Sequence, residues 1–341
     1  MALPLTARRE HAAPPTIVAR RQAAGRSIII EGPRRAHVSR VARPIPSAGE
    51  VCVQLEGCGV CASNIPVWEG RDWFSYPLEP GAPGHEGWGF VESAGEGVDS
   101  LRSGDRVAVL SHHALATFDI APAGNVVRLP AQLSGRPFPG EPIGCAFNVF
   151  RRSGVGPGQV VAVVGIGFLG TIVTRLAVNA GARVIAISRR PFALEVAREF
   201  GAAEAIRLGD HSRVVQQVRE LTDGRWCERV VEATGLQGPL DVAGDITAER
   251  GRLIIAGFHQ DGPRQVNLQL WNWRGLDVIN AHERDPREYV RGMTEAAEAV
   301  ARGDLDPDPL YTHRFPLERA AEAFEMSVSR PDGFMKALIC T

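Results

Sequence analysis

The chain is most informative at Val160-Val-Ala-Val-Val-Gly165-Ile-Gly167-Phe-Leu-Gly170, where a short apolar run meets three glycines. Five apolar residues in a row, four of them valine, predict a buried parallel strand. The glycines form G-x-G-x-x-G, and a helical pattern begins at Thr171. Gly165 permits a tight turn, Gly167 lets the backbone approach a pyrophosphate, and Gly170 allows the helix to pack closely on the strand. Strand, glycines and helix together predict a dinucleotide-binding unit rather than a ligand-free glycine-rich turn.

The end of the next strand indicates which dinucleotide is bound. In the NAD form of this unit an acidic residue there hydrogen-bonds the adenosine ribose. This chain has Ser188-Arg189-Arg190 instead, with no acid before Glu195. Because guanidinium groups bind phosphate and no carboxylate repels it, the sequence favours NADP(H) over two merely solvated arginines. The expected cofactor contacts are Gly165, Ile166, Gly167, Phe168, Leu169, Gly170, Ser188, Arg189 and Arg190.

Composition narrows the class of protein. The 341 residues are 44% hydrophobic and carry a formal net charge of −1, which gives no argument for a nucleic-acid partner. No apolar run approaches the roughly 18 residues of a membrane span. The six scattered cysteines favour a reducing, cytoplasmic compartment with metal-bound or free thiols over a disulfide framework. Residues 1–25, rich in Ala, Arg and Pro, predict a disordered extension rather than a transit peptide.

The rest of the chain divides by pattern. Short strands and Gly/Pro turns to about Leu129 predict an antiparallel β module, with strands at Ser27–Ile30, Glu50–Glu56, Gly89–Ala94, Arg106–Val109, Phe118–Ala121 and Val126–Arg128. Alternating strands and helices then predict an α/β, doubly wound parallel sheet. Its expected strands are Val160–Val164, Arg183–Ile187, Arg229–Glu232, Leu253–Ala256 and Asp277–Ile279. Helices are expected at Thr171–Ala180, Pro191–Phe200, Ser212–Leu221, Leu240–Ile246, Arg287–Arg302 and Leu317–Ser329, and a last strand, Ala337–Ile339, should rejoin the β module.

Metal-ligand residues stand before the glycine-rich unit. Cys58-x-x-Cys61 follows a predicted strand, Gly84-His85-Glu86-Gly87 comes next, and Glu141 lies shortly before the cofactor unit. Cys58-x-x-Cys61 alone could be a redox pair or half of a structural zinc site, but no second C-x-x-C occurs. Three protein ligands with an open fourth position form the usual catalytic zinc site.

Together, these motifs resemble the medium-chain zinc-dependent alcohol dehydrogenases. The likeness extends from about Ser27 to the C-terminus, and Glu141-Pro142 followed by Arg151-Arg152 is nearest to the sorbitol and polyol dehydrogenase branch. It implies a GroES-like, β-rich catalytic domain over residues 26–146 and 282–341. It also implies a Rossmann domain over residues 147–281.

The resemblance also implies roles for single residues. Cys61 and His85 would hold a catalytic zinc, Glu141 would be the third ligand, Glu86 a ligand or a nearby carboxylate, and Ser63 the hydroxyl that relays the substrate proton. Three features depart from the family. Asn64 replaces an Asp that supports the metal site, and Pro66 replaces a His that passes the proton on in some members. The four-cysteine lobe is missing, so one zinc ion and no structural zinc are expected.

The sequence therefore predicts a zinc-assisted oxidoreductase that transfers a hydride between NADP(H) and an alcohol or carbonyl substrate, with polyols and cyclitols as the candidate substrate classes. A zinc-free NADPH:quinone or enoyl reductase is the alternative that Asn64 favours. A non-enzymatic NADPH sensor is the alternative from another class. The short apolar segment Leu276-Asp-Val-Ile279 predicts an edge strand that pairs across a two-fold axis, giving a homodimer or a homotetramer.

Overall fold

The computed structural model describes residues 24–341. The extension predicted over residues 1–25 lies almost wholly outside the described residues, and its last residue, Gly25, already belongs to the first strand. The strands are β1 (Gly25–Gly32), β2 (Arg35–Val41), β3 (Glu50–Gly59), β4 (Gly87–Ala94), β5 (Arg106–Val109), β6 (Phe118–Pro122), β7 (Val126–Arg128), β8 (Val160–Val164), β9 (Arg183–Ser188), β10 (Glu204–Arg207), β11 (Cys227–Glu232), β12 (Thr247–Ile255), β13 (Asp277–Asn280), β14 (His313–Pro316) and β15 (Ala337–Cys340).

The α-helices follow the same order along the chain. They are α1 (Asn64–Glu69), α2 (Gly140–Ser153), α3 (Phe168–Asn179), α4 (Pro191–Glu199), α5 (His211–Leu221), α6 (Gln237–Ile246), α7 (Leu268–Arg274), α8 (Pro286–Arg302) and α9 (Ala320–Ser329). The predicted helix Leu317–Ser329 is a 3-10 turn, Leu317–Arg319, that leads into α9. None of the helices in the described part of the chain is long and apolar enough to cross a membrane.

Five strands from the first half of the chain and the two C-terminal strands form a mixed seven-stranded sheet. Its order is β14-β15-β3-β4-β5-β7, with β6 paired to β3. The C-terminal strand β15 runs antiparallel to β3, with Leu338 opposite Gly59, so the last strand rejoins this module as expected. The hairpin β1–β2 forms a separate two-stranded sheet. Its second strand was not predicted, because alternating Arg and His residues leave it half-exposed and without an apolar period.

The second half contains a parallel six-stranded sheet in the order β10-β9-β8-β11-β12-β13. This arrangement confirms the predicted α/β, doubly wound class. Five strands were expected, and the sixth, β10, lies at the edge beside β9. Its four residues, Glu-Ala-Ile-Arg, include one fully buried position, so the sequence carries too weak an apolar signal to predict it.

Helix α2 connects the two halves and was also not predicted. Pro142 and Gly144 in its first turns weaken the helical pattern, although proline is tolerated there because the early N–H groups have no helical partner. Gly144 and Gly292 allow α2 and α8 to touch at backbone distance. A Cβ atom on Gly144 would lie 2.6 Å from the Met293 nitrogen, and one on Gly292 would lie 2.5 Å from the Gly144 oxygen. This contact fixes the helix that carries Glu141.

Candidate active site

The pairing of β3 with β4 assembles a cluster of metal-ligand side chains. Cys58 lies opposite Gly87 in this antiparallel pair, so the loop after β3 faces the residues that precede β4. The ligand atoms of Cys61, His85 and Glu86 consequently all lie within 4.8 Å of one another. Cys61 and His85 keep partial access to solvent, and Glu86 is buried. A thiolate, an imidazole and a carboxylate are the donor types that zinc takes in proteins.

Asn64 orients two of these ligands, although it replaces the acidic residue that the resemblance implies. Its Oδ1 accepts a hydrogen bond from the Cys61 N–H at 3.0 Å, and its Nδ2 donates to the Pro83 carbonyl at 3.2 Å. The same carbonyl lies 2.8 Å from His85 Nδ1. Because a carbonyl only accepts, Nδ1 carries the proton, and Nε2 is the nitrogen left to bind a metal. A backbone carbonyl therefore orients the imidazole.

The electrostatics of the cluster favour an added positive charge. Burial lowers the pKa of His85, but the Cys61 thiol and the carboxylates of Glu141 and Glu86 outweigh it and raise that pKa to about 10. The imidazole therefore holds a second proton at neutral pH when no other cation is present. A divalent metal would take the place of that proton, because ligand imidazoles bind metal in their neutral form.

Lys336 balances only part of the negative charge. Its Nζ lies 2.6 Å from Glu86 Oε1 and 2.5 Å from Oε2, and both side chains are almost fully buried. Burial opposes the charged form of Lys336, yet Glu86 and Cys61 raise its pKa. Although Nζ is close to Oε2, no donor among the described residues has a favourable hydrogen-bond angle toward this oxygen. The Lys336 ammonium compensates this carboxylate, so the fit to a metal ion rests on the donor types that meet in the cluster.

Glu141 lies beside the cluster but outside the group of three. It belongs to the first turn of α2, and its Oε1 accepts a hydrogen bond from the Cys145 thiol at 3.1 Å, one helical turn later. Burial raises the pKa of Glu141, and His85 opposes that rise. A thiol is a weak donor, so this carboxylate has little compensation for its burial. Two buried carboxylates and a thiol therefore face one ammonium group and one protonated imidazole, and a divalent cation that replaced the imidazole proton would fit this set of donors.

Three other residues near the cluster are Ser63, Pro66 and His113. Ser63 is half-buried just before α1, and its N–H donates to Cys61 Sγ at 3.5 Å. Pro66 is buried inside α1. His113 Nε2 lies 3.0 Å from Glu79 Oε2, so this half-exposed loop histidine is paired with a carboxylate.

The glycine-rich loop has the geometry that the sequence predicts. Gly165 has a φ of +106°, which side chains rarely adopt, and a Cβ on Gly170 would collide with the Gly165 carbonyl. A Cβ on Gly167 would meet nothing within 4 Å, so this backbone faces open space at the N-terminus of α3. Helix α3 begins at Phe168, earlier than predicted, and its free N–H groups are suited to a phosphate.

The two arginines after β9 differ in their surroundings. Arg190 donates from its guanidinium to the carbonyls of Phe334 and Ile166, which ties the segment before β15 to the glycine-rich loop. Arg189 is exposed and forms no hydrogen bond or ion pair with residues 24–341. Ser188 is buried, and its hydroxyl accepts from the Arg190 N–H at 3.4 Å. The guanidinium of Arg189 has no protein partner among the described residues, whereas that of Arg190 uses two of its five N–H donors on carbonyls.

Sequence reasoning missed the role of Lys336, although a signal was present. Lys336 is the one lysine among the 38 Lys and Arg residues of the chain. From composition alone, we would attribute this bias to codon usage. Its Nζ also lies 5.0 Å from the centroid of the Phe168 ring, in the first turn of α3. One ammonium group thus joins the ligand cluster to the loop expected to bind the cofactor.

Known protein families match the β-rich part and the parallel-sheet part of this chain separately. Residues 47–133 match the alcohol dehydrogenase GroES-like domain, and residues 169–299 match the zinc-binding dehydrogenase domain. An alcohol dehydrogenase of Geobacillus stearothermophilus is 32% identical over 88% of this chain and 94% of its own. Sorbitol dehydrogenase of Gallus gallus is 29% identical over 87% and 92%. The solved alcohol dehydrogenase rspB of E. coli CFT073, complexed with NADH, covers 94% of this chain and 100% of its own with a TM-score of 0.84 at 23% identity.

A GroES-like module joined to a Rossmann sheet, with the ligand cluster beside the glycine-rich loop, defines a two-domain dehydrogenase. The chain belongs to the zinc-dependent medium-chain alcohol dehydrogenase family. The family resemblance is thereby confirmed, and the sorbitol-like branch agrees with these relatives. The protein is accordingly an oxidoreductase of the alcohol or polyol dehydrogenase kind, and its substrate is a small alcohol or carbonyl compound.

Breaking the Lys336–Glu86 ion pair from one side should destabilise the metal-free protein. Lys336→Met removes the ammonium group that contacts Glu86, and removal of one partner of a buried pair costs about 3–5 kcal/mol in comparable cases. The free energy of unfolding, measured by urea denaturation in the presence of a chelator, should fall by that amount. The double variant Lys336→Met/Glu86→Gln should recover most of the loss, because no charge is then stranded. Arg314→Met, exposed on β14, is the matched control and should change little. Equal stability of Lys336→Met and the unmodified protein would contradict this account.

Proposed function

We propose that this protein transfers a hydride between NADP(H) and an alcohol or carbonyl carbon, with one zinc ion held in the cluster around Cys61 and His85. The observation that carries the proposal is the convergence of Cys61, His85 and Glu86 within 4.8 Å, beside a second buried carboxylate. Polyol-like substrates are the class that the sorbitol dehydrogenase relatives favour.

We assign Cys61, His85 and Glu141 as the zinc ligands. Glu86 is closer to the other two as the chain stands, but Lys336 already neutralises it, and an ammonium group at 2.5 Å repels a divalent cation. Glu141 has only the Cys145 thiol as a partner, so it gains more from the metal. When bound, zinc would act as a Lewis acid that stabilises negative charge on the substrate oxygen. We assign to the hydroxyl of Ser63, which is half-buried and two residues after Cys61, the role of accepting the substrate proton.

The preference for NADP(H) rests on this chain's own residues, since a solved protein of the same fold holds NADH. Arg189 is exposed at the carboxyl end of β9 without a carboxylate partner in the described chain, and Ser188 offers a hydroxyl beside it. An adenosine 2′-phosphate would supply the missing negative charge. Arg190 contributes by holding Ile166 and Phe334 rather than by binding phosphate.

The competing functions have less support. The zinc-free quinone or enoyl reductase reading depended on Asn64, but this residue holds the Cys61 backbone and the Pro83 carbonyl that orients His85. Asn64 therefore supports the metal ligands with a side-chain amide, where the family usually has a carboxylate. A non-enzymatic NADPH sensor would be expected to lose the ligand set, whereas the donors of Cys61, His85 and Glu86 converge.

The zinc assignment predicts one zinc ion per chain by elemental analysis of the purified protein. Cys61→Ser should lose both zinc and turnover, while NADPH still binds because the Rossmann sheet does not depend on this loop. Glu141→Gln should lower zinc affinity more than Glu86→Gln does, since we assign Glu141 as a ligand. Cys227→Ser, buried in β11 away from the cluster, is the matched cysteine control and should keep its zinc. Full activity in a metal-free preparation would refute the zinc mechanism.

The cofactor assignment predicts at least tenfold tighter binding of NADPH than of NADH, which corresponds to about 1.4 kcal/mol. Arg189→Asp should narrow or reverse the preference, because the new carboxylate repels the 2′-phosphate. Arg207→Asp, at the exposed end of β10, is the control for a general change of surface charge. Both affinities can be measured by titrating the fluorescence of the reduced nicotinamide. Identical titration curves for the two cofactors in the unmodified protein would contradict the assignment.

We also propose a homodimer, or a tetramer of such dimers, built through β13. This strand is the last of the parallel sheet, and Val278 on it is exposed. Trp273, with 86% of its surface exposed, and Leu268, with 67%, lie nearby on α7. An open strand edge beside exposed apolar side chains is usually covered by a partner. Light scattering at micromolar concentration should give at least twice the 36.8 kDa of one chain, and a mass of one chain would defeat the proposal.

A further inference from the structure

Two glycines fix one face of helix α2. Gly140 and Gly144 lie four residues apart, so they share a face of the helix. A Cβ atom on Gly140 would lie 3.3 Å from Met293 Cε, and one on Gly144 would lie 2.6 Å from the Met293 nitrogen. The same atom on Gly140 would lie 2.6 Å from the Ala108 Cβ in β5. Because both glycines are in close contact, this end of α2 is held in one rotation about its axis.

These contacts place the start of α2 beside the metal-ligand cluster. Ala108 is followed in β5 by Val109, which pairs with Gly87 of β4. Glu86, one of the three clustered ligand residues, immediately precedes Gly87. The residue that follows the first glycine of α2 is Glu141. Backbone contacts of the fold therefore bring the Glu141 carboxylate to the cluster.

One turn further along the same helix, a thiol contacts this carboxylate. Cys145 lies four residues after Glu141, so the two side chains stand one above the other on one face of α2. Side chains of a helix lean toward its N-terminus, which directs the Cys145 thiol back toward Glu141. Cys145 Sγ lies 3.1 Å from Glu141 Oε1, within hydrogen-bond distance for sulfur. Of the two carboxylate oxygens, only Oε1 has a hydrogen-bond partner among the residues that the structure describes.

The thiol is the donor in this contact whenever Glu141 binds a metal. A ligating carboxylate is ionised, and an ionised carboxylate has no proton to donate. The proton between Sγ and Oε1 therefore belongs to Cys145, and the other oxygen stays available. Cys145 keeps partial access to solvent, whereas Glu141 and the next residue of the helix, Ala146, are buried. The thiol consequently does not fill a closed part of the core, and its hydrogen bond is what an apolar residue could not reproduce.

We propose that Cys145 is a positioning residue that orients the Glu141 carboxylate for the metal through this thiol hydrogen bond. Carboxylates that bind metals are in turn hydrogen-bonded, and loss of such a partner lowers metal affinity. The inference rests on the proposed zinc function, in which Glu141 is a ligand. It gives a role to a cysteine that lies outside the metal-ligand set. The sulfur acts on the carboxylate and does not itself bind the metal.

The test measures the zinc affinity of the full chain, stripped of metal and titrated with Zn²⁺ against a chromogenic chelator. Cys145→Val removes the donor but keeps a side chain of similar size, and it should weaken zinc binding about tenfold or more. Cys145→Ser keeps a donor and should retain more affinity than Cys145→Val. A packing role would give the opposite order, because serine is smaller and more polar than valine. Cys227→Ser, the matched cysteine control in β11, should bind zinc as the unmodified chain does.

Two further measurements separate this role from others. In the Glu141→Gln background, Cys145→Val should cause no additional loss of zinc affinity, since the thiol acts through the carboxylate. With Co²⁺ in place of zinc, Cys145→Ser should keep the thiolate-to-cobalt charge-transfer absorption of the unmodified chain, whereas Cys61→Ser should lose it. A weaker absorption in Cys145→Ser would show that this sulfur binds the metal itself, and the inference would then be wrong.

Equal zinc affinity of Cys145→Val and the unmodified chain would overturn the inference, as would a larger loss in Cys145→Ser than in Cys145→Val. The proposed function survives either result if Glu141→Gln still weakens zinc binding. Unchanged affinity in Glu141→Gln would remove Glu141 from the ligand set and the inference with it. Failure of the unmodified chain to bind zinc would refute the proposed zinc function itself. If the thermal midpoint shows that Cys145→Val does not fold, Cys145→Ala takes its place in each comparison.

Discussion

The buried ion pair between Lys336 and Glu86 is the contact on which the site depends. Glu86 immediately precedes β4, and Lys336 immediately precedes β15, and both of those strands pair with β3. The pair therefore forms only when the central strands of the mixed sheet are in register. A buried ion pair adds little net stability, because desolvation of both ions offsets their attraction. Its effect is specificity: a shifted register would leave a buried charge alone, so the pair selects the arrangement in which Cys61 and His85 also meet.

The sequence was informative where a chemical requirement determines the residue type. Gly165 and Gly170 could be interpreted in advance because only glycine suits a φ of +106° or a helix lying against a carbonyl. Cys61, His85 and Glu86 could be proposed because few side chains bind zinc, and the β3–β4 pairing brings them together. The α/β class followed from the alternation of apolar runs and helical patterns, which depends on burial alone.

Other features could not be predicted because they depend on tertiary contacts. Arg190 and Arg189 look equivalent in the sequence, but the fold gives Arg190 two carbonyl partners, which the sequence does not show. Asn64 looked like a defect in the metal site, since the sequence does not show that the Pro83 carbonyl would orient His85. Helix α2 was hidden because Pro142 and Gly144 suit its packing against α8 rather than its intrinsic helix propensity.

Charge is distributed unevenly between the two ends of the region where substrate and cofactor would meet. The carboxylates of Glu86 and Glu141 face the Lys336 ammonium and a His85 imidazole whose second proton a metal ion would replace, whereas the guanidinium groups near β9 and α9 form no ion pair with a carboxylate in the described chain. The first group lies at the ends of β3 and β4 and at the start of α2, and the second follows β9 and α9. Each group of like charges raises the free energy of the protein without ligands, and a ligand of opposite charge lowers it again. A metal cation at one end and an anionic dinucleotide at the other satisfy both together. The Lys336 ammonium, 5.0 Å from the Phe168 ring, stands at the junction of the two. The acidic cluster would bind the metal cation, and the arginines would bind a cofactor whose negative phosphates lie away from the metal.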